Sequence, residues 1–217
     1  MGRRQEHAAR LRTLGDWPGY LREHGGLPGP RANLELVLAV ADVAGPDTVD
    51  ALIGTGEEYL VLCGVAALTD PGRLRAHATD GRWRVREGVA MALQRLGDAD
   101  LPRLLDLADD WAGDAHPLVQ RAAVAGVCEP RLLRSPAAAA RAVALCDAVT
   151  AALAARPAAQ RRDEDVRTLR KALGYCWSVA VAADKAAGLP VFERRAGSDD
   201  PDVAWIVREN RGKARMR

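Results

Sequence analysis

Residues 80–97, Asp-Gly-Arg-Trp-Arg-Val-Arg-Glu-Gly-Val-Ala-Met-Ala-Leu-Gln-Arg-Leu-Gly, constrain the fold more than any other stretch. Val85, Val89, Ala92, Leu93 and Leu96 fall at i, i+4, i+7, i+8 and i+11, which places them on one face of a helix. Arg86, Gln94 and Arg95 lie off that stripe. An acidic turn at Asp80 precedes the helix, and Gly97 predicts its end. A lone helix of this kind leaves its apolar face wet, so it needs neighbours of the same build.

The sequence supplies those neighbours. Segments 60–68, 119–127, 169–177 and 203–210 align with 85–93, and each opens on Leu or Val. The starts at Val85 and Val119 are 34 residues apart, as are those at Leu169 and Val203; the other two spacings are 25 and 50. Position four is small in four copies, as Cys63, Gly88, Ala122 and Ala172, and is Ile206 in the last. Small side chains at a crossing let two helices approach closely. An acidic residue stands six places before position two: Asp80 before Arg86, Asp114 before Gln120, Glu164 before Arg170. There it can cap its helix and pair with an Arg of the next copy.

Punctuation between the copies predicts partner helices. A first helix spans 4–14 and stops at Gly15; Asp16 caps a second. Residues 24–30, with three Gly and two Pro, form a rigid loop. Helices follow over 33–44, 48–53 (capped by Asp47), 57–68 and 73–78, and beyond Gly97 over 100–111 and 118–128. Ser135-Pro136 opens a long helix, 137–156, since Ser is a good cap and Pro a good first residue. Residues 166–184, a short helix from Gly188, and 203–210 complete the set; 211–217 is a frayed basic tail.

An acidic turn, then Val-Arg, then a small-apolar helix: this pattern resembles the HEAT repeat, most clearly in 80–96 and 198–210. The whole chain is similar to the small bacterial HEAT-repeat proteins, a family that implies a fold rather than a reaction. The resemblance implies an all-α, right-handed α-solenoid of about five helix pairs. Residues 1–32 would be its N-terminal helical cap, 33–210 the repeats, and 211–217 the tail.

Composition bounds what such a stack does. The formal net charge of +2 selects neither an acidic nor a basic partner for the chain as a whole. The four cysteines form no CxxC pair and sit in apolar helical contexts, which predicts buried, reduced thiols. The four histidines are scattered, so neither a metal nor a cofactor is expected. The charged start (Arg3, Arg4, Glu6) and the lack of any run near the ~18 apolar residues of a membrane helix predict a cytoplasmic protein with no membrane partner. Gly25 to Gly29 lack the Lys-Ser/Thr of a P-loop, and no GxSxG elbow occurs.

In stacked helix pairs the second helices line a concave wall, the usual place for a partner. That wall would carry Arg86, Glu87, Arg121, Arg170, Lys171, Tyr175, Trp177, Trp205, Arg208 and Glu209. The expected function is therefore a non-enzymatic scaffold for a protein partner. A basic strip interleaved with aromatics also suits a nucleic-acid backbone, which is the alternative. The repeats resemble, more distantly, the DNA alkylation-repair glycosylases built of HEAT-like repeats. That family implies a groove with two Trp and an Asp around a cationic substrate, and Trp111 with Asp114 is the nearest such pair here.

Overall fold

The computed structural model describes residues 2–217 and is all-α: thirteen helices, with no strand among the described residues. They are α1 (Arg3–Leu11), α2 (Trp17–His24), α3 (Leu34–Val43), α4 (Pro46–Gly54), α5 (Glu58–Ala67), α6 (Pro71–Ala78), α7 (Trp83–Ala99), α8 (Leu101–Ala112), α9 (Pro117–Val127), α10 (Pro136–Ala154), α11 (Glu164–Ala183), α12 (Lys185–Ala196) and α13 (Pro201–Arg211). Side chains start most of them. Asp16, Asn33, Asp70, Asp100, Ser135 and Asp184 each accept the backbone N–H three residues on, which satisfies one donor that the first turn leaves open. His116 does so through Nδ1, two residues on, and Asp200 accepts from both Asp202 and Val203. Pro follows the cap directly at Pro46, Pro71, Pro117, Pro136 and Pro201, where its missing N–H is no loss.

The chain divides into two compact units, one ending at Ala92 and one running from Leu93 to Arg217. In the first, α1 packs on α3, α3 on α5, and both α2 and α4 on α5. Leu11, Leu21, Leu36, Val40, Leu52 and Leu60 fill its core. Gly64 marks a close crossing: a Cβ there would sit 2.7 Å from Ile53 Cγ1 and 3.1 Å from the Val49 carbonyl oxygen.

A polar brace ties the 25–33 loop to these helices. Gly25 O accepts from Asn33 N at 2.9 Å, and Tyr59 donates its hydroxyl to Asn33 O at 2.8 Å. Asn33 Nδ2 donates to His24 O, and His7 Nδ1 lies 2.7 Å from the Tyr20 hydroxyl. Gly26, at φ +79°, holds the left-handed turn that glycine adopts at little expense. Burial lowers the His7 pKa below its ordinary value, and His24 and Arg3 act in the same direction against Glu6 and Glu35. Burial lowers His77 as well, opposed by Asp80. A histidine held neutral by the fold contributes fully above its unfolded pKa of about 6.5, and that contribution is lost as pH falls through the lowered native value. The urea midpoint of the first unit, followed by Trp17 and Trp83 fluorescence, is therefore expected to be lower near pH ~5 than near pH ~7.5. His7→Gln should narrow that difference.

In the second unit, α8 pairs with α9, α10 with α11 and α12 with α13. Helix α11 also packs between α9 and α13, while α10 packs against both α8 and α12. The result is two layers, α8/α10/α12 and α9/α11/α13. Trp177 lies at the centre, its ring 5.4 Å from that of Phe192 and its Nε1 donating to Thr150 Oγ1 at 2.9 Å. Cys128, Cys146 and Cys176 are buried in the same unit, with the Cys128 and Cys146 sulfurs 3.7 Å apart. Burial pushes the Cys63 and Cys146 thiols toward the protonated form, and at Cys128 the hydrogen bond with Cys146 does so first, with burial adding to it.

Position one of the alignment is buried in all five copies: Leu60, Val85, Val119, Leu169 and Val203. Several sequence expectations are corrected. Gly97 does not end α7 but sits inside it, because a Cβ there would meet Leu104 Cδ2 at 2.5 Å and Leu132 Cδ1 at 3.0 Å. The residue is there for close packing. Asp47 is not a cap; Gly45 holds that place and Asp47 lies in the first turn of α4. Asp184 caps α12, and Gly188 is interior to that helix, 3.0 Å (as a Cβ) from Val181 Cα. Residues Ala214–Met216 form a 3-10 turn packed on α11. Helix α10 is, by length and composition, apolar enough to cross a membrane, with a mean hydropathy of 1.5. It carries Arg141 and packs among α8, α9, α11 and α12.

Candidate binding face

Position two of the aligned helices shows how the sequence shapes the surface. Arg86 Nη1 donates to the carbonyls of Asp80 (2.6 Å) and Gly81 (3.1 Å), closing the turn before its own helix. Gln120 Nε2 does the same to Ala112 O at 2.9 Å. The acidic residues six places earlier act locally: Asp80 Oδ1 accepts from Arg82 N and Asp114 Oδ1 from His116 N. The expected ladder appears one copy later and uses a different carboxylate. Arg170 Nη1 meets Asp202 Oδ1 at 2.6 Å, Arg161 reaches Asp200, and Glu164 is an exposed residue of the first turn of α11.

Arg86 and Glu87 belong to the first unit, and both are half-buried. The second unit gathers most of the remaining candidates on α9, α11 and α13. Arg121 is half-buried on α9. On α11, Arg170 lies 4.7 Å over the Trp205 ring, with its Nε buried and without a hydrogen-bond partner. Trp205 itself fills the space above Gly174, where a Cβ would lie 2.8 Å from Cζ3 of the indole. Tyr175 is 47% exposed, with the Arg215 guanidinium 4.8 Å from its ring centre and Lys213 Nζ at 5.9 Å. Arg215 Nη2 also reaches the Tyr175 hydroxyl at 3.3 Å. Lys171 and Arg208 are exposed, and neither side chain has an ion-pair or hydrogen-bond partner among the described residues. Glu209 is half-buried beside Gly174.

Three candidates fall elsewhere. Trp177 is fully buried and presents nothing to a partner. Trp111 is 3% exposed, and Asp114 turns back on its own loop, so this pair offers a substrate no open indole face. Among the described residues, no group of three or more His, Cys, Asp or Glu is placed to hold a metal ion.

Sequence reasoning left Lys213 and Arg215 in the frayed basic tail and missed Asp202 and Asn210. Asn210 anchors the face: its Oδ1 accepts from Ser178 N (2.9 Å), and its Nδ2 donates to Leu173 O (3.0 Å) and Ile206 O (2.7 Å). This buried carboxamide fixes α13 to α11, and with it the spacing between Trp205 and Tyr175. The face thus holds five cations, Arg170, Lys171, Arg208, Lys213 and Arg215, around two carboxylates, Asp202 and Glu209. The other layer has a different balance, with Asp106, Asp109 and Asp110 on α8, two of them bridged by Arg141. No family model, no curated protein and no solved structure matches the chain.

Proposed function

We propose that the protein is a non-enzymatic binding module, a right-handed solenoid of HEAT-type helix pairs whose second helices receive a protein partner. The observation that carries the reading is the character of α9, α11 and α13. Their inward stripe is aliphatic and small, yet positions two, three, six and seven carry Arg, Lys, Tyr, Trp and Glu that the fold leaves wholly or partly open. Lys171 and Arg208 project into solvent without internal partners, although exposed cations beside Asp and Glu readily pair. A rim of charge around an exposed aromatic is the composition of a binding surface.

The test is photo-crosslinking inside cells. A photoreactive residue at 171 or 208 should give protease-sensitive, nuclease-resistant adducts. The same residue at 140 or 148, on the exposed side of α10, should give few. Adducts that nuclease removes would move the reading to nucleic acid, and adducts confined to 140 and 148 would place the surface on the wrong layer.

A further inference from the structure

We propose that the partner segment seated on α11 and α13 is an acidic peptide, held by Lys171, Arg208, Lys213 and Arg215 around the Tyr175 ring; this rests on the binding-module reading above. The first argument is charge complementarity. Arg170 and Asp202 pair with each other, with Arg161 also at Asp202, which leaves the four cations Lys171, Arg208, Lys213 and Arg215 against the one carboxylate of Glu209. The excess is local, since the whole chain carries only +2. It therefore belongs to this surface rather than to a generally basic protein.

The second argument separates a peptide from a nucleic acid. Single-stranded nucleic acid needs aromatic faces on which bases stack. Here the rings carry cations already: Arg170 covers Trp205, and Arg215 and Lys213 lie over Tyr175. Trp205 is also pressed against Gly174, which leaves part of the indole buried. Arg170 spends its Nη1 on Asp202, but Arg215 gives only Nη2 to the Tyr175 hydroxyl and keeps further N–H donors whose planar edge matches a carboxylate. Glu209, half-buried beside Gly174 on the same helix as Arg208, disfavours a continuous run of phosphates and leaves room for an acidic segment broken by neutral residues.

The third argument is preorganisation. The Asn210 carboxamide ties α13 to α11, and the 3-10 turn at Ala214–Met216 packs on α11, so Arg208, Lys213 and Arg215 are carried on fixed backbone. Fixed donors lose less conformational entropy when a ligand arrives.

The experiment titrates the full chain with a capped Glu/Ser peptide about ten residues long, which spans roughly 33 Å when extended. Controls are a Gly/Ser peptide of the same length and a single-stranded oligonucleotide of matched charge. The acidic peptide should bind, the neutral one should not, and the oligonucleotide should bind no more tightly than the acidic peptide. In Lys171→Glu/Arg208→Glu, affinity for the acidic peptide should fall about tenfold or more, because two exposed charges are reversed. Neither side chain has an internal partner, so this variant keeps the fold, checked by its thermal unfolding. Acidic-peptide affinity that the double variant leaves unchanged would overturn the proposal, and so would tighter binding of the oligonucleotide. If protein adducts still form at 171 and 208 while the acidic peptide fails to bind, the binding-module reading stands and the acidic partner does not.

Discussion

Trp177→Ala is expected to destabilise the second unit by about 3–5 kcal/mol, the range for truncating a fully buried aromatic. The indole is 0% exposed, packs against Phe192, and spends its N–H on Thr150. Its removal leaves a void between α10, α11 and α12 that rigid neighbours close only in part. Thr150 keeps its own bond to Cys146 O, so the loss is chiefly one of packing. Urea unfolding followed by far-ultraviolet circular dichroism measures it. Trp177→Phe, which keeps most of the ring but not the N–H, should lose less. A loss under about 1 kcal/mol in Trp177→Ala would mean the residue is not in the core described here.

Asn210→Leu is expected to lose about 2–4 kcal/mol, because three hydrogen bonds go and buried backbone groups on α11 lose their partner. Asn210→Asp should be worse at neutral pH. A carboxylate cannot donate to Leu173 O or Ile206 O, and its charge would be buried. Amide hydrogen exchange should show α13 opening before α9 in both variants. Uniform loss of protection across the unit would contradict the idea that Asn210 specifically ties α13 to α11.

Much of the local structure was legible because it depends on short-range chemistry. The cap-and-proline starts at Ser135 and Pro136, or at Asp16, follow from orphan N–H groups alone. The five buried position-one residues follow from helical spacing. What failed were choices that only tertiary contact decides. Gly97 looks like a helix stop from its neighbours, yet Leu104 and Leu132 press on it and make it an interior contact point. Trp177 and Trp205 occupy alignable copies, and nothing in either sequence context says that Phe192 covers one while Arg170 merely lies over the other. Lys213 and Arg215 read as a loose end because their anchor, Tyr175, lies roughly forty residues earlier. Asn210 gives no signal in sequence, since an Asn at a helix end is ordinary.

The chain has three lysines, which makes amine footprinting a direct test of where a partner sits. Lys171 and Lys213 belong to the α11 face, while Lys185 begins α12 in the other layer and donates to the carbonyl of Arg217. With the captured partner bound, acylation of Lys171 and Lys213 should slow and that of Lys185 should stay as it is in the free protein. Protection of Lys185 with Lys171 and Lys213 still reactive would contradict the account.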